Sequence, residues 1–248
     1  MRSFAFETQK KSFSESPRKK KERKNKETDH TPNHAESKTP YLIIRTRYPV
    51  FSPCDDETLG EPRQEKAFCE KINRFYAQSA ATYVSSLPAK TLKKATVLAA
   101  ANQKPCSFIW HTEVPYNGKN AVSLFTDISG FDGEKTVKRR FGALWSAKDA
   151  TLIAPSQVFF TDARHRKAVI RQICAIAESN LHRGIFTYYD NFEAIINKRF
   201  SFDSFYFVPN GAAFYFDGGV LSSHTDEVTV FVLPFEKAEG LLKLVPES

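Results

Sequence analysis

Within the run Ser222-Ser-His-Thr-Asp-Glu227 lie a nucleophile type, a base type and carboxylates, the side chains that acyl-transfer chemistry uses. Neighbours in one short segment do not make a triad, because nucleophile, base and orienting carboxylate must converge in space with fixed mutual geometry. The run therefore reads as a polar exposed loop spanning Val220 to Glu227. What remains open to it is recognition, with Ser222, Ser223, His224 and Asp226 as hydrogen-bonding groups on the rim of a binding surface. A second loop of this kind is Pro115-Tyr-Asn-Gly-Lys-Asn120, in which Asn117-Gly118 favours a tight turn and Tyr116 and Asn117 offer a ring and an amide.

Other reactive residue types are scattered. His111 sits between Trp110 and Glu113 with no second His or Cys at a ligand spacing, and His165 falls in the basic turn Asp162–Ala168 at a helix start. The four cysteines, Cys54, Cys69, Cys106 and Cys174, form no Cys-x-x-Cys pair. Two of them fall on apolar helix faces, which suits buried thiols, and an even count leaves a disulfide open. No glycine-rich phosphate loop is present, since Gly130 and Gly133 sit at a turn. We therefore expect no cofactor, no metal and no catalytic residue.

The charge is uneven. Of the +8 net charge, residues 1–40 carry +5 (11 Lys and Arg against 6 Asp and Glu) and the remainder +3. After Phe13 that tail has almost no apolar residue, so burial cannot offset the entropy of ordering it, and residues 1–40 read as a disordered basic arm. Its Arg18–Lys26 cluster, with the run Lys135-Thr-Val-Lys-Arg-Arg140, keeps open a cytoplasmic factor that holds nucleic acid or an anionic membrane surface. No paired-aromatic nucleic-acid motif accompanies them. There is no long apolar span and no apolar stretch after the N-terminal charges, so neither a transmembrane segment nor a secretory signal is visible, and the chain as written is expected to be cytoplasmic. Nothing in the sequence sets its oligomeric state.

Order is expected from about residue 41, with an apolar content of 41% and 22 Phe to supply a core. Tyr41–Val50 reads as a strand. Phe68, Ile72, Phe75, Tyr76, Ala80, Tyr83, Val84 and Leu87 recur at helical spacing, so a long helix runs to Pro88, and a second helical stretch follows to about Asn102. Ser107–Val114, Ala121–Ser129 and Thr136–Trp145 alternate as strands joined by short turns, which favours an antiparallel meander. Thr161-Asp162 caps a helix carrying Val169, Ile170, Ile173 and Ala177 on its inner face, and Asn191 starts a shorter one. A strand at Val228–Leu233 and a terminal helix from Phe235 to Leu242 close the chain. Helices among antiparallel strands without βαβ alternation define an α+β fold: one curved antiparallel sheet with the long N-terminal helix and further helices packed on it. Residues 41–105 supply the first strand and helix, and residues 106–248 the sheet and remaining helices.

In Phe205-Tyr-Phe-Val-Pro-Asn-Gly211, the fixed φ of Pro209 and a left-handed Gly211 give a chain reversal between ring-rich arms. Rings alternating on both faces are packing residues first. This hairpin, with Phe214-Tyr-Phe216 and the closing Val230–Leu242 segment, resembles the C-terminal signature of the RsiV-type extracytoplasmic domain. Upstream, Tyr48-Pro-Val-Phe51, Ile72-Asn-Arg-Phe75-Tyr76 and Leu152 through Val158-Phe159 are similar to the preceding part of the same architecture, so the resemblance covers about residues 41–245. Relatives of this kind are membrane anti-sigma factors whose outer domain senses lysozyme, and similar domains accompany a polysaccharide deacetylase in bacterial cell-wall enzymes. The resemblance implies a bacterial, non-enzymatic binding or sensing module, extracytoplasmic in its relatives, for a protein such as lysozyme or a peptidoglycan fragment. The loop Val220–Val228 stands where such domains carry a Pro-, Tyr- and Gly-containing segment.

Overall fold

A computed structural model describes residues 5–7, 42–53, 62–87, 89–101, 105–131, 135–223 and 226–245. The architecture is α+β. In chain order it runs β1 (Ala5–Glu7), β2 (Leu42–Arg47), β3 (Val50–Ser52), α1 (Pro62–Ser85), α2 (Ala89–Ala100), β4 (Cys106–Asn117), β5 (Ala121–Phe131) and β6 (Thr136–Ser146). Then come a single turn α3 (Pro155–Val158), α4 (Ala163–His182), α5 (Phe192–Arg199), β7 (Phe205–Val208), β8 (Gly211–Phe216), β9 (Thr229–Pro234) and a 3-10 turn at Phe235–Lys237.

Two main sheets replace the single one expected. The first has the order β2-β4-β5-β6 and the second β7-β8-β9. The first is also mixed, because β2 runs parallel to β4 with Arg47 opposite His111. Two helices lie between those strands, and a connection that long permits the crossover a parallel pair demands. A short pair joins β1 to β3, with Phe6 opposite Phe51, so three residues of the segment read as a solvated arm take part in the fold. The Ala-Phe-Glu of β1 precedes the polar stretch, and composition averaged over the tail conceals it. The basic cluster Arg18–Lys26 lies outside the described residues, as does Cys54. Cys69 and Cys106 are buried and Cys174 is partly buried.

Each face of the first sheet has its own cover. On one, Phe68, Ile72 and Tyr76 of α1 pack against Val122, Leu124 and Trp145, because their spacing places them on a single helix stripe. Asn73 of the same helix clasps β3: the Phe51 amide donates to its Oδ1 at 2.8 Å and its Nδ2 donates to the Phe51 carbonyl at 2.9 Å. Tyr83 and Leu87 continue the stripe onto Cys106 and Phe108.

The other face receives the edge of β7. There the Phe207 amide donates to the buried Ser123 Oγ at 2.8 Å, which satisfies a strand-edge donor that no neighbouring strand reaches. Gly142 of β6 lies so close to β7 that a Cβ there would fall 1.8 Å from the Phe205 carbonyl oxygen. The rings of Phe159, Phe205, Phe207, Phe214 and Phe231 fill the space between the second sheet and α4 and α5. The hairpin rings are thus core. Gly211 pairs with Val208 as the first residue of β8 and has no left-handed φ, so Pro209 and Asn210 make the turn alone.

Two ends differ from the sequence reading. β4 continues through Pro115 to Asn117 after an irregularity between Glu113 and Tyr116, which shrinks the expected loop to Gly118–Asn120. The segment after β9 makes one 3-10 turn and then pairs with the chain beside α3: Phe160 N donates to Leu241 O at 3.1 Å and Lys243 N to Val158 O at 2.7 Å. Those bonds draw residues 241–243 out of the helix expected to reach Leu242.

Candidate functional site

β6 is the last strand of the first sheet, and its outer edge is met by side chains and loop backbone rather than by another full strand. The Gly142 amide donates to Tyr215 Oη at 2.9 Å and the Arg140 amide to Asp217 Oδ1 at 3.0 Å. The Lys138 carbonyl accepts from Gly218 N at 2.9 Å and the Leu144 carbonyl from Ile153 N at 2.8 Å. Each outward residue from 138 to 144 along this edge therefore has one polar group already engaged.

Along the same edge lie three adjoining cavities that share lining residues. The first, about 440 Å³, is walled by Phe75 and Tyr76 of α1, by Trp110, and by Phe141 and Leu152. Phe141 and Leu152 are each 52% exposed and Phe75 38%. Phe141 and Asp203 also line the second, about 470 Å³, whose other polar groups are Arg140, Arg199, Ser204, Tyr215 and Asp217. Arg199 and Val220 pass into the third, about 360 Å³, beside Lys198 and the Gly218-Gly219 turn. The result is one open cleft with an aromatic end, a polar middle and a cationic end.

Beneath its middle, Arg140 is held on all sides. It forms a bidentate pair with Asp127, Nε to Oδ1 and Nη2 to Oδ2 both at 2.7 Å, and its Nη1 donates to Tyr206 Oη at 2.8 Å. Its guanidinium carbon lies 3.8 Å from the centre of the Phe125 ring. Burial opposes its charge, but the Asp127 carboxylate outweighs that and holds the guanidinium more basic than usual. Arg47, His111, Asp127 and Arg140 are directly opposite one another across β2, β4, β5 and β6. Burial lowers the His111 pKa, with Arg47 and Arg140 adding to the effect against Glu113 and Asp127.

Burial pushes the Tyr215 hydroxyl up to about 12, with the Gly142 amide bond acting against it. An unfolded tyrosine titrates near 10. Between those values the unfolded chain has lost a proton that the folded chain keeps, so stability is intact below about pH 10 and falls as pH rises towards 12, by on the order of 2 kcal/mol. Tyr215→Phe should flatten that part of a pH series of urea midpoints relative to the parent. Parallel curves above pH 10 would refute the assignment.

The residues expected at the site are spread apart. Tyr116 lies in β4, 7% exposed, with its ring 6.3 Å from that of Phe207, so it belongs to the core and not to a rim, because the strand runs on through Pro115. Asn117 is partly buried at the end of that strand. Ser222 is buried, Ser223 and Asp226 are exposed, and His224 lies outside the described residues. The Asp226 carbonyl would sit 1.8 Å from a Cβ at Gly218, so the backbone at Asp226 lies tight against the turn that caps Lys138. Lys138 is paired in register with Ser129, and Asn117 with Val122. Seven residues of β5 separate those positions, roughly 24 Å at strand rise, so the two candidate loops occupy opposite ends of the sheet.

The basic run does not form a cationic face. Lys138 is paired with Glu227 and Arg140 with Asp127, while Arg139 points to the other side. The cleft residues Phe141, Arg199, Asp203 and Tyr215 were not singled out in the sequence. Gly142 in mid-strand was the available signal, since an interior strand glycine marks a close approach of backbone. At the helix start, His165 Nδ1 meets Asp162 Oδ2, and the Asp162 carboxylate also caps the Arg164 amide at 3.0 Å, which is a structural role. Among the described residues no group of three or more His, Cys, Asp or Glu is placed to hold a metal, and no helix is long and apolar enough to cross a membrane.

No family model and no curated protein matches the chain. Solved structures do. A DUF3298 family protein from Pseudomonas aeruginosa PAO1 superposes with a TM-score of 0.52 at 12% identity, covering 84% of this chain and 88% of the other. A DUF3298 family member from Bacteroides fragilis NCTC 9343 gives a TM-score of 0.52 at 12% identity, with 81% and 84% covered. The chain is thus similar in fold, over most of its length, to bacterial proteins of a family whose function is unknown.

Proposed function

We propose that this chain is a non-enzymatic binding or sensing module of the RsiV-like kind, taking a protein or cell-wall-related ligand in the cleft along β6. The observation that carries this reading is the cleft itself. It is long and open, with exposed rings at one end and carboxylate, hydroxyl and guanidinium groups farther along, the lining of a recognition surface. The likeness to bacterial DUF3298 proteins supports the α+β fold and brings no activity with it.

The test is retention of the full chain on insoluble peptidoglycan and on immobilised lysozyme, with Phe141→Asp beside the parent. Phe141 is exposed, so the change leaves the core intact while placing a charge among the rings. Retention on at least one of the two, lost in Phe141→Asp, is expected. Failure on both, or retention indifferent to the substitution, would remove the reading. Progressive shortening of the glycan during incubation would instead show catalysis and overturn the non-enzymatic part.

The alternative is a basic tail holding nucleic acid or an anionic surface; its cluster Arg18–Lys26 lies outside the described residues, and in the second basic run Lys138 and Arg140 are ion-paired. Deleting residues 1–40 decides it: unchanged nucleic-acid affinity and salt dependence would dismiss it.

A further inference from the structure

We infer that the cleft is built for a linear glycan bearing carboxylates, with sugar faces over Phe141 and Phe75 and an acidic substituent at Lys198 and Arg199. This rests on the binding reading above and specifies its ligand. Three observations lead to it.

The cleft follows the outer edge of the last strand of a sheet, where the first expectation is an extended peptide adding as a further strand. Strand addition needs the amide and carbonyl of each outward residue to be available together. Here Lys138, Arg140, Gly142 and Leu144 each have one of the two engaged, by Gly218, Asp217, Tyr215 and Ile153 respectively. A polypeptide has no ladder to join, whereas a glycan needs none.

The polar groups suit hydroxyl-rich rings. Asp203 and Asp217 have acceptor capacity beyond the single bonds that Ser201 and the Arg140 amide make to them, and Ser204 and Tyr215 add hydroxyls. Carboxylate acceptors and hydroxyls around an exposed aromatic plane pair with the two kinds of surface a pyranose presents, its hydroxyl edge and its apolar face.

The charge is graded. Lys198 and Arg199 line the far end, at the last turn of α5, and neither makes an ion pair among the described residues. They contrast with Lys138 and Arg140 nearby, which are both paired. Two cations left available at one end of a groove fit an anionic substituent there, and at surface exposure the attraction is salt-sensitive.

The experiment is calorimetric titration of the full chain with two defined hexasaccharides, one of uncharged N-acetylglucosamine and one of a uronic acid, at two salt concentrations. The uronic oligomer should bind more tightly, weaken with salt, and lose about tenfold in affinity in Lys198→Gln/Arg199→Gln and again in Phe141→Ala, about 1.4 kcal/mol each. Circular dichroism checks that both variants are folded. Equal affinity for the two oligomers, or values untouched by either substitution, overturns the inference. Binding to lysozyme without any to either oligomer refutes the glycan while leaving the binding module standing. No binding to glycan, peptidoglycan or lysozyme refutes both.

Discussion

Gly142→Ala should destabilise the protein by about 3 kcal/mol or more, at or beyond the upper end of what overpacking costs in cores that can relax. The obstruction is backbone: a Cβ at this position lies 1.8 Å from the Phe205 carbonyl oxygen and 2.8 Å from its carbon. No rotamer change relieves it. Either the two sheets separate, which strips Ser123 from the Phe207 amide, or β6 retreats and breaks the bond from the Gly142 amide to Tyr215. Gly130→Ala is the control, since its Cβ would meet the Phe108 ring at 3.2 Å, a side chain that can turn. Urea midpoints should fall steeply for Gly142→Ala and little for Gly130→Ala. Similar small shifts in both would mean that the sheet contact yields easily.

The second large effect is at the pair beneath the cleft. Asp127→Ala leaves the Arg140 guanidinium, whose side chain is 11% exposed, with only Tyr206 and the Phe125 ring. Stripping the carboxylate from such a cation costs about 2–3 kcal/mol, below the value for a fully enclosed pair because the Asp127 side chain is itself 33% exposed. The cost comes from a stranded charge, so removing the charge should recover much of it. Asp127→Ala/Arg140→Met is expected to be more stable than Asp127→Ala alone, with a coupling of about 1 kcal/mol or more in the double-mutant cycle. An additive cycle would show that the pair is screened by water and contributes little to holding the sheets.

These two positions also show what could be read from the chain. The α1 stripe was legible because Phe68, Ile72, Tyr76 and Ala80 repeat at the helical period and nothing else explains that spacing. The β4–β5–β6 meander was legible from its turns. The partner of β2 was not: parallel pairing is decided by how the intervening helices pack, and no local signal records it. Nor was the cleft, whose walls come from α1, β6, the 199–204 segment and the 215–220 turn. Each of those segments reads as ordinary core or surface by itself, and only their convergence makes a surface for a ligand. Tyr116 misled for a related reason. Asn117-Gly118 does signal a turn, but a strand irregularity before it lets β4 run two residues past Pro115 and carries the ring inward.

The parallel pairing of β2 with β4 has a kinetic side. Residues 48–105 must be looped out before the first strand can dock, whereas β4, β5 and β6 close through short turns. Loop-closure entropy grows with the length enclosed, so the meander can form early while β2 docks late in assembly. Amide exchange is the measurement that carries this asymmetry into the native state: the amides of Leu42–Arg47 are expected to exchange before those of β5, and equal protection would show that the late-docking strand is held as firmly as the meander.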